Sequence, residues 1–179
     1  MKSKGVGEIE KKELKDIQVE YWEKAAAEIS KRNPASFGKY YIHNNAMNGV
    51  LKFGIEFYCV VNTKKRNLAA NSIATGIYID VGKHRGRFKN YEKSKTVNKE
   101  IFKLLFDNKE KIDASIPGLV WNDNPSKRAS SIQIAKEIDF TDENNWSECM
   151  EFQSSAATKI YDVVFKPYIN DIEKIFYGE

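Results

Sequence analysis

Apolar residues recur at helical spacing near the start of the chain: Leu14, Ile17, Tyr21, Ala25 and Ile29 share one face, with Trp22 and Ala26 beside it. Steps of three and four residues describe an amphipathic helix laid on something flat. They predict a helix over 14–29 that Asn33-Pro34 stops. Residues 1–13 are dominated by Lys and Glu and read as a flexible charged leader running into that helix. The pattern then changes to short apolar runs broken by turn residues. Lys39 to His43 and Val50 to Val61 read as antiparallel strands, with Asn48-Gly49 as the hairpin turn between them. From Asn71 to Val81 the alternation is strict. Ile73, Thr75, Ile77 and Ile79 fall on one side and Ala74, Gly76, Tyr78 and Asp80 on the other.

Val97, Ile101, Leu104 and Leu105 predict a second helix through Phe106, with a possible extension to Ile112 and with Ser94 or Thr96 as its cap. Pro117-Gly118 turns the chain into two more strands, Leu119 to Trp121 and Ser130 to Ile138. Thr141-Asp142-Glu143 opens a last helix, on which Trp146, Met150, Gln153, Ala157, Ile160 and Val164 repeat at helical spacing until Pro167 ends or bends it. The order α-β-β-β-α-β-β-α with short connections predicts an α+β fold, a two-layer antiparallel sheet with helices packed on one face. Residues 14–179 form one domain in this reading; 179 residues are enough to bury a core without a metal or disulfide staple.

Composition narrows the class. Hydrophobic residues are 41% and charged residues 30%, with 10 Gly and 4 Pro, which excludes collagen-like, disordered and membrane-embedded chains. There is no apolar signal segment or membrane span, and Cys59 and Cys149 stand far apart, so a reduced cytoplasmic setting without a membrane partner is expected. The net charge of +4 is modest, but its distribution is not even. Eight basic residues from Lys83 to Lys103 face only Glu92 and Glu100, whereas from Asp139 to Glu179 nine acids face three lysines. Such asymmetry steers a polyanion to one end or pairs internally.

The segments QVEYWEKAAAEI, GIEFYCVVN, GIYID, NKEIFKLLFDNKEKIDASIPGLVW, KRASSIQI, WSECMEF and VFKPYI together resemble the domain of unknown function 4268 family, over about Ile17 to Ile172. The resemblance implies a prokaryotic domain that often follows a predicted restriction-type nuclease domain; it implies no catalytic residues. Family members typically carry Arg and Glu in the strand where this chain has Ala74 and Gly76, an Arg at Ser131, and often a Glu at Asn122. Those positions invite the hypothesis of a cross-strand ion pair lost as a unit.

Tests for chemistry are mostly negative. A restriction-type nuclease needs converging acids and a Lys around Mg²⁺, and that spacing is lacking; Glu56, Asp80 and Lys83 are the strand-associated candidates worth keeping, and an ordinary strand-edge charge set is the preferred reading of them. His43 and His84 lack metal-ligand spacing, Cys59 falls in an apolar strand, and no glycine array marks a nucleotide loop. No catalytic residue, metal or cofactor is assigned. The best candidate is GKHRGRFKNYEKSK, where Lys83, Arg85, Arg87, Lys89, Lys93 and Lys95 can neutralise phosphates while Tyr91 or Phe88 stacks on bases. Its alternative is a solvated loop with Phe88 or Tyr91 tucked onto the core. Three functions follow: a non-enzymatic accessory or recognition module of a prokaryotic nucleic-acid-processing or phage-defence system that binds DNA or RNA, a protein-interaction domain docking a partner subunit, and a divergent metal-dependent nuclease.

Overall fold

A computed structural model of the chain describes residues 6–43, 45–61, 71–83 and 86–179, with side chains from residue 14 onward. Helix α1 (Val6–Arg32) carries the predicted stripe: Tyr21, Trp22, Ala25, Ala26 and Ile29 are buried. It ends before Pro34, which opens the single turn α2 (Pro34–Phe37). Strands β1 (Tyr40–His43), β2 (Ala46–Val50), β3 (Ile55–Val61) and β4 (Ser72–Ile79) follow, then α3 (Tyr91–Phe106), α4 (Lys109–Ser115), β5 (Val120–Asn122), β6 (Ser130–Glu137), α5 (Trp146–Ile160) and α6 (Ile169–Tyr177). The sheet has six strands in the order β1-β2-β3-β4-β6-β5, every pair antiparallel. This is the expected α+β architecture.

The period of two sorts the strands cleanly. Ile55, Phe57, Cys59 and Val61 of β3, Ile73, Ile77 and Ile79 of β4, and Ile132 of β6 share one core with the helices. On the other face Ala46, Tyr58, Val60 and Ala74 form a separate small cluster of strand residues alone, with Tyr78 packed against it. Full burial of each large apolar side chain in the main core contributes about 1.5–3 kcal/mol. Tyr21 anchors the centre: its hydroxyl donates to Gln153 Oε1 of α5, and its ring meets Trp22, Phe140 and Trp146 edge-on.

Four details differ from the pattern-based expectation. The run from Val50 to Val61 is not one strand: it breaks at 51–54, where Phe53 (φ 64°) and Gly54 (φ 73°) turn the chain and a side chain at Gly54 would strike the Asp80 carbonyl. Asn48-Gly49 is not a turn but lies inside β2, and Gly49 is needed because a Cβ there would sit 2.0 Å from the Ser36 carbonyl oxygen of α2. The second helix is capped by Asn90, whose side chain accepts from the Lys93 amide at 3.0 Å, rather than by Ser94 or Thr96, and it breaks at Asp107-Asn108. Pro167 does bend the last helix: lacking an N–H, it leaves a π-type turn over Tyr161–Phe165 and a 3₁₀ turn over Lys166–Tyr168, after which the chain resumes as α6, an element the periodicity missed. Among the described residues no helix is long and apolar enough to cross a membrane.

Candidate nucleic-acid interface

The segment that leaves β4 is held by a carboxylate. Asp80 is 2% exposed, and it accepts from Arg128 Nη2 at 2.7 Å, from the Gly82 amide at 3.0 Å and from Asn98 Nδ2 at 3.2 Å. Asn98 in turn accepts from the Val81 amide and donates to the Arg128 carbonyl, so one α3 side chain ties the end of β4 to the start of β6. Gly82 lets Arg128 lie across the backbone, since a Cβ there would fall 2.8 Å from the guanidinium carbon. The hydrogen-bonded Asp80 carboxylate raises the Arg128 pKa further above its already high value.

The other wall is the β5–β6 connection. Asn124 Oδ1 accepts from both the amide and the hydroxyl of Ser126, a tight side-chain turn around Pro125. Lys99 of α3 braces it from beneath, donating to Asp123 Oδ1, to the Asn124 carbonyl and to Ser130 Oγ. The loop therefore presents Lys127 on a fixed backbone. Between this loop and the first turn of α3 lies an open groove of about 1140 Å³, lined by Tyr78, Tyr91, Trp121, Asn122, Lys127 and Ser131 among others. A second depression of about 390 Å³ adjoins it, sharing Tyr91 and Arg128 and reaching Lys89.

The basic residues singled out in the sequence divide into two groups. Lys83 is spent internally: its ammonium meets Glu56 at 2.8 Å and lies 4.9 Å from the Tyr78 ring centre. Arg87 is spent too, donating to the Phe176 and Tyr177 carbonyls at the end of α6 with its guanidinium 4.9 Å from the Tyr177 ring centre. Lys89 and Lys93 are exposed, Lys95 is half-buried, and none of these three has an ion-pair partner among the described residues. Tyr91 is 49% exposed at the groove, with Arg128 5.7 Å from its ring centre. Arg85 and His84 lie outside the described residues. Phe88 is buried against Phe176, and Tyr91 to Lys95 form the first turns of α3 rather than a loop.

The nuclease candidates do not gather into a metal cradle. Glu56 is engaged by Tyr41 and Lys83, and Asp80 by Arg128; burial and the Glu56 carboxylate push the Tyr41 phenol up to about 12. Among the described residues no group of three or more His, Cys, Asp or Glu side chains is placed to hold a metal ion. Cys59 and Cys149 are buried free thiols, pushed up to about 12 and about 11 by burial. Gly76 and Ser131 sit on paired strands, on the same face and two residues apart in register, and Asn122 donates to the Ser131 hydroxyl.

Sequence reasoning missed Lys127, Arg128 and Tyr78, and it named Asn122 only as a position where family members often carry Glu. The signal for the first two was present in Asn-Pro-Ser-Lys-Arg, a turn followed by two cations between strands; Tyr78 and Asn122 are strand residues whose placement at the groove depends on register. Residues 17–169 match the family model described as Domain of unknown function (DUF4268). No curated protein and no solved structure matches the chain.

Proposed function

The chain belongs to the DUF4268 family, whose name assigns no activity, and from that premise we propose a non-enzymatic recognition module that binds nucleic acid. The observation that carries this reading is the pair of adjoining depressions sharing Tyr91 and Arg128, bordered on one side by Lys89 and on the other by Lys127. Cations without internal partners release counterions when they meet phosphates, and an exposed ring beside them offers a surface for a base. The braced loop supports the same reading, because the backbone that carries Lys127 is already ordered, leaving only the lysine side chain to be fixed at the moment of binding. The biological setting that fits such a module is a prokaryotic nucleic-acid-processing or defence system.

Fluorescence anisotropy with a labelled oligonucleotide over a salt series tests it. Affinity falls linearly with salt on logarithmic axes, and Lys89→Ala with Lys127→Ala makes the slope shallower by about one for each lysine. Absence of binding at low salt contradicts the proposal. A second reading, a protein-interaction domain, is favoured by a different region: Tyr40 and Ile42 of edge strand β1 and Val19 of α1 border one apolar groove and are each 39–49% exposed. Complex formation that ignores salt and needs no nucleic acid would favour it.

A further inference from the structure

Resting on the nucleic-acid reading, we infer that the groove between α3 and the β5–β6 loop takes an unpaired base, so that the ligand is single-stranded rather than duplex. The lining is wrong for reading a duplex backbone and right for a base. Two aromatic side chains, Tyr78 and Tyr91, border it, and Tyr91 is the more exposed; Trp121 also lines it, but its indole turns away to donate to Asp113 and pack on Phe102 and Phe106. Base–aromatic stacking needs only a π face, so it holds any unpaired base and is denied to a paired one.

The polar groups suit a base edge. Asn122 donates one amide hydrogen to Ser131 at 3.3 Å, and among the described residues its carbonyl Oδ1 receives no donor. An amide carbonyl and a hydroxyl beside an aromatic wall can meet the donors and acceptors that Watson–Crick pairing would otherwise occupy. The two carboxylates in the lining do not repel a nucleotide, since Asp80 is paired with Arg128 and Asp123 with Lys99.

Lys89 and Lys127 line the two depressions and have no ion-pair partner among the described residues, whereas Lys83, Arg87, Lys99 and Arg128 are held by internal partners. Stacking on Tyr91 adds to what such phosphate contacts supply. The groove volume of about 1140 Å³ admits more than one nucleotide, against roughly 300–1,000 Å³ for usual small-molecule sites.

The test compares labelled oligonucleotides of about twelve nucleotides and one sequence, as single-stranded DNA, single-stranded RNA and DNA duplex. At least one single strand is expected to bind about tenfold or more tightly than the duplex. Tyr91→Ala lowers that affinity about tenfold without changing the salt slope, while Tyr91→Phe keeps it. Tyr91 is exposed, and a thermal melt confirms that both variants fold. Duplex binding as tight as single-strand binding, or Tyr91→Ala binding like the unaltered protein, overturns the single-strand inference and leaves the nucleic-acid reading standing. No binding of any of the three overturns both.

Discussion

Lys83 and Arg87, just after β4, turn their charge inward, whereas Lys89 and Lys93, a few residues later, keep theirs in solvent. All four belong to one basic stretch in the sequence. The difference arises from what the fold brings near each. Lys83 meets a strand carboxylate, and Arg87 meets the last carbonyls of α6, where a cation also suits the negative end of the helix dipole. Lys93 sits on the first turn of α3 and faces water. Lys83 is neutralised by Glu56, and Arg87 keeps its charge but commits donors of its guanidinium to carbonyls, so a net charge counted along the chain overstates the donors available to a phosphate. The inward group is part of the fold, and the outward group is available for a partner.

That division can be broken by stability measurements. Asp80→Ala has the largest expected effect, because it leaves Asn98, the Gly82 amide and Arg128 without their shared acceptor: about 3 kcal/mol less stability in urea denaturation. A loss under 0.5 kcal/mol contradicts the assignment of Asp80 as the brace. Next comes Arg87→Ala, which removes two hydrogen bonds to carbonyls and the packing on Tyr177; about 1–2 kcal/mol is expected, read as a lower melting temperature. Lys83→Ala follows with about 1 kcal/mol: the Lys83 side chain is 39% exposed, and the buried Glu56 carboxylate keeps the Tyr41 hydroxyl as a donor. Smallest are Lys93→Ala and Lys127→Ala, each within about 0.5 kcal/mol of the unaltered protein. Should these two prove as destabilising as Arg87→Ala, the outward group has a structural role and the comparison collapses.

Much of the fold was legible because the core obeys simple periods. Tyr21, Ala25 and Ile29 on α1, Ile73, Ile77 and Ile79 on β4, and Trp146, Gln153, Ala157 and Ile160 on α5 are all buried as their spacing requires. What failed was local backbone chemistry. Gly49 looked like a turn residue because glycine serves both turns and close approaches, and only the position of Ser36 separates the two. Phe53 at positive φ has no signature in sequence; it is held by its ring contacts with Phe176 and Tyr177, more than a hundred residues away. The site was legible in part. Tyr91, Lys89 and Lys93 stand out by composition, but Lys127 and Asn122 reach the same groove only through the β5–β6 pairing. Asn98 is a polar residue inside a helical pattern, and its role follows from three partners scattered over 80–128.

The central claim is that the unpaired cations and the Tyr91 groove, not the whole basic stretch, meet the nucleic acid. NMR chemical-shift mapping with an unlabelled single-stranded oligonucleotide addresses it directly. The account predicts the largest amide and side-chain shifts at Lys89, Tyr91, Asn122 and Lys127, with small ones at Lys83 and Arg87. Shifts centred on Lys83 and Arg87, with the β5–β6 loop unmoved, would contradict it.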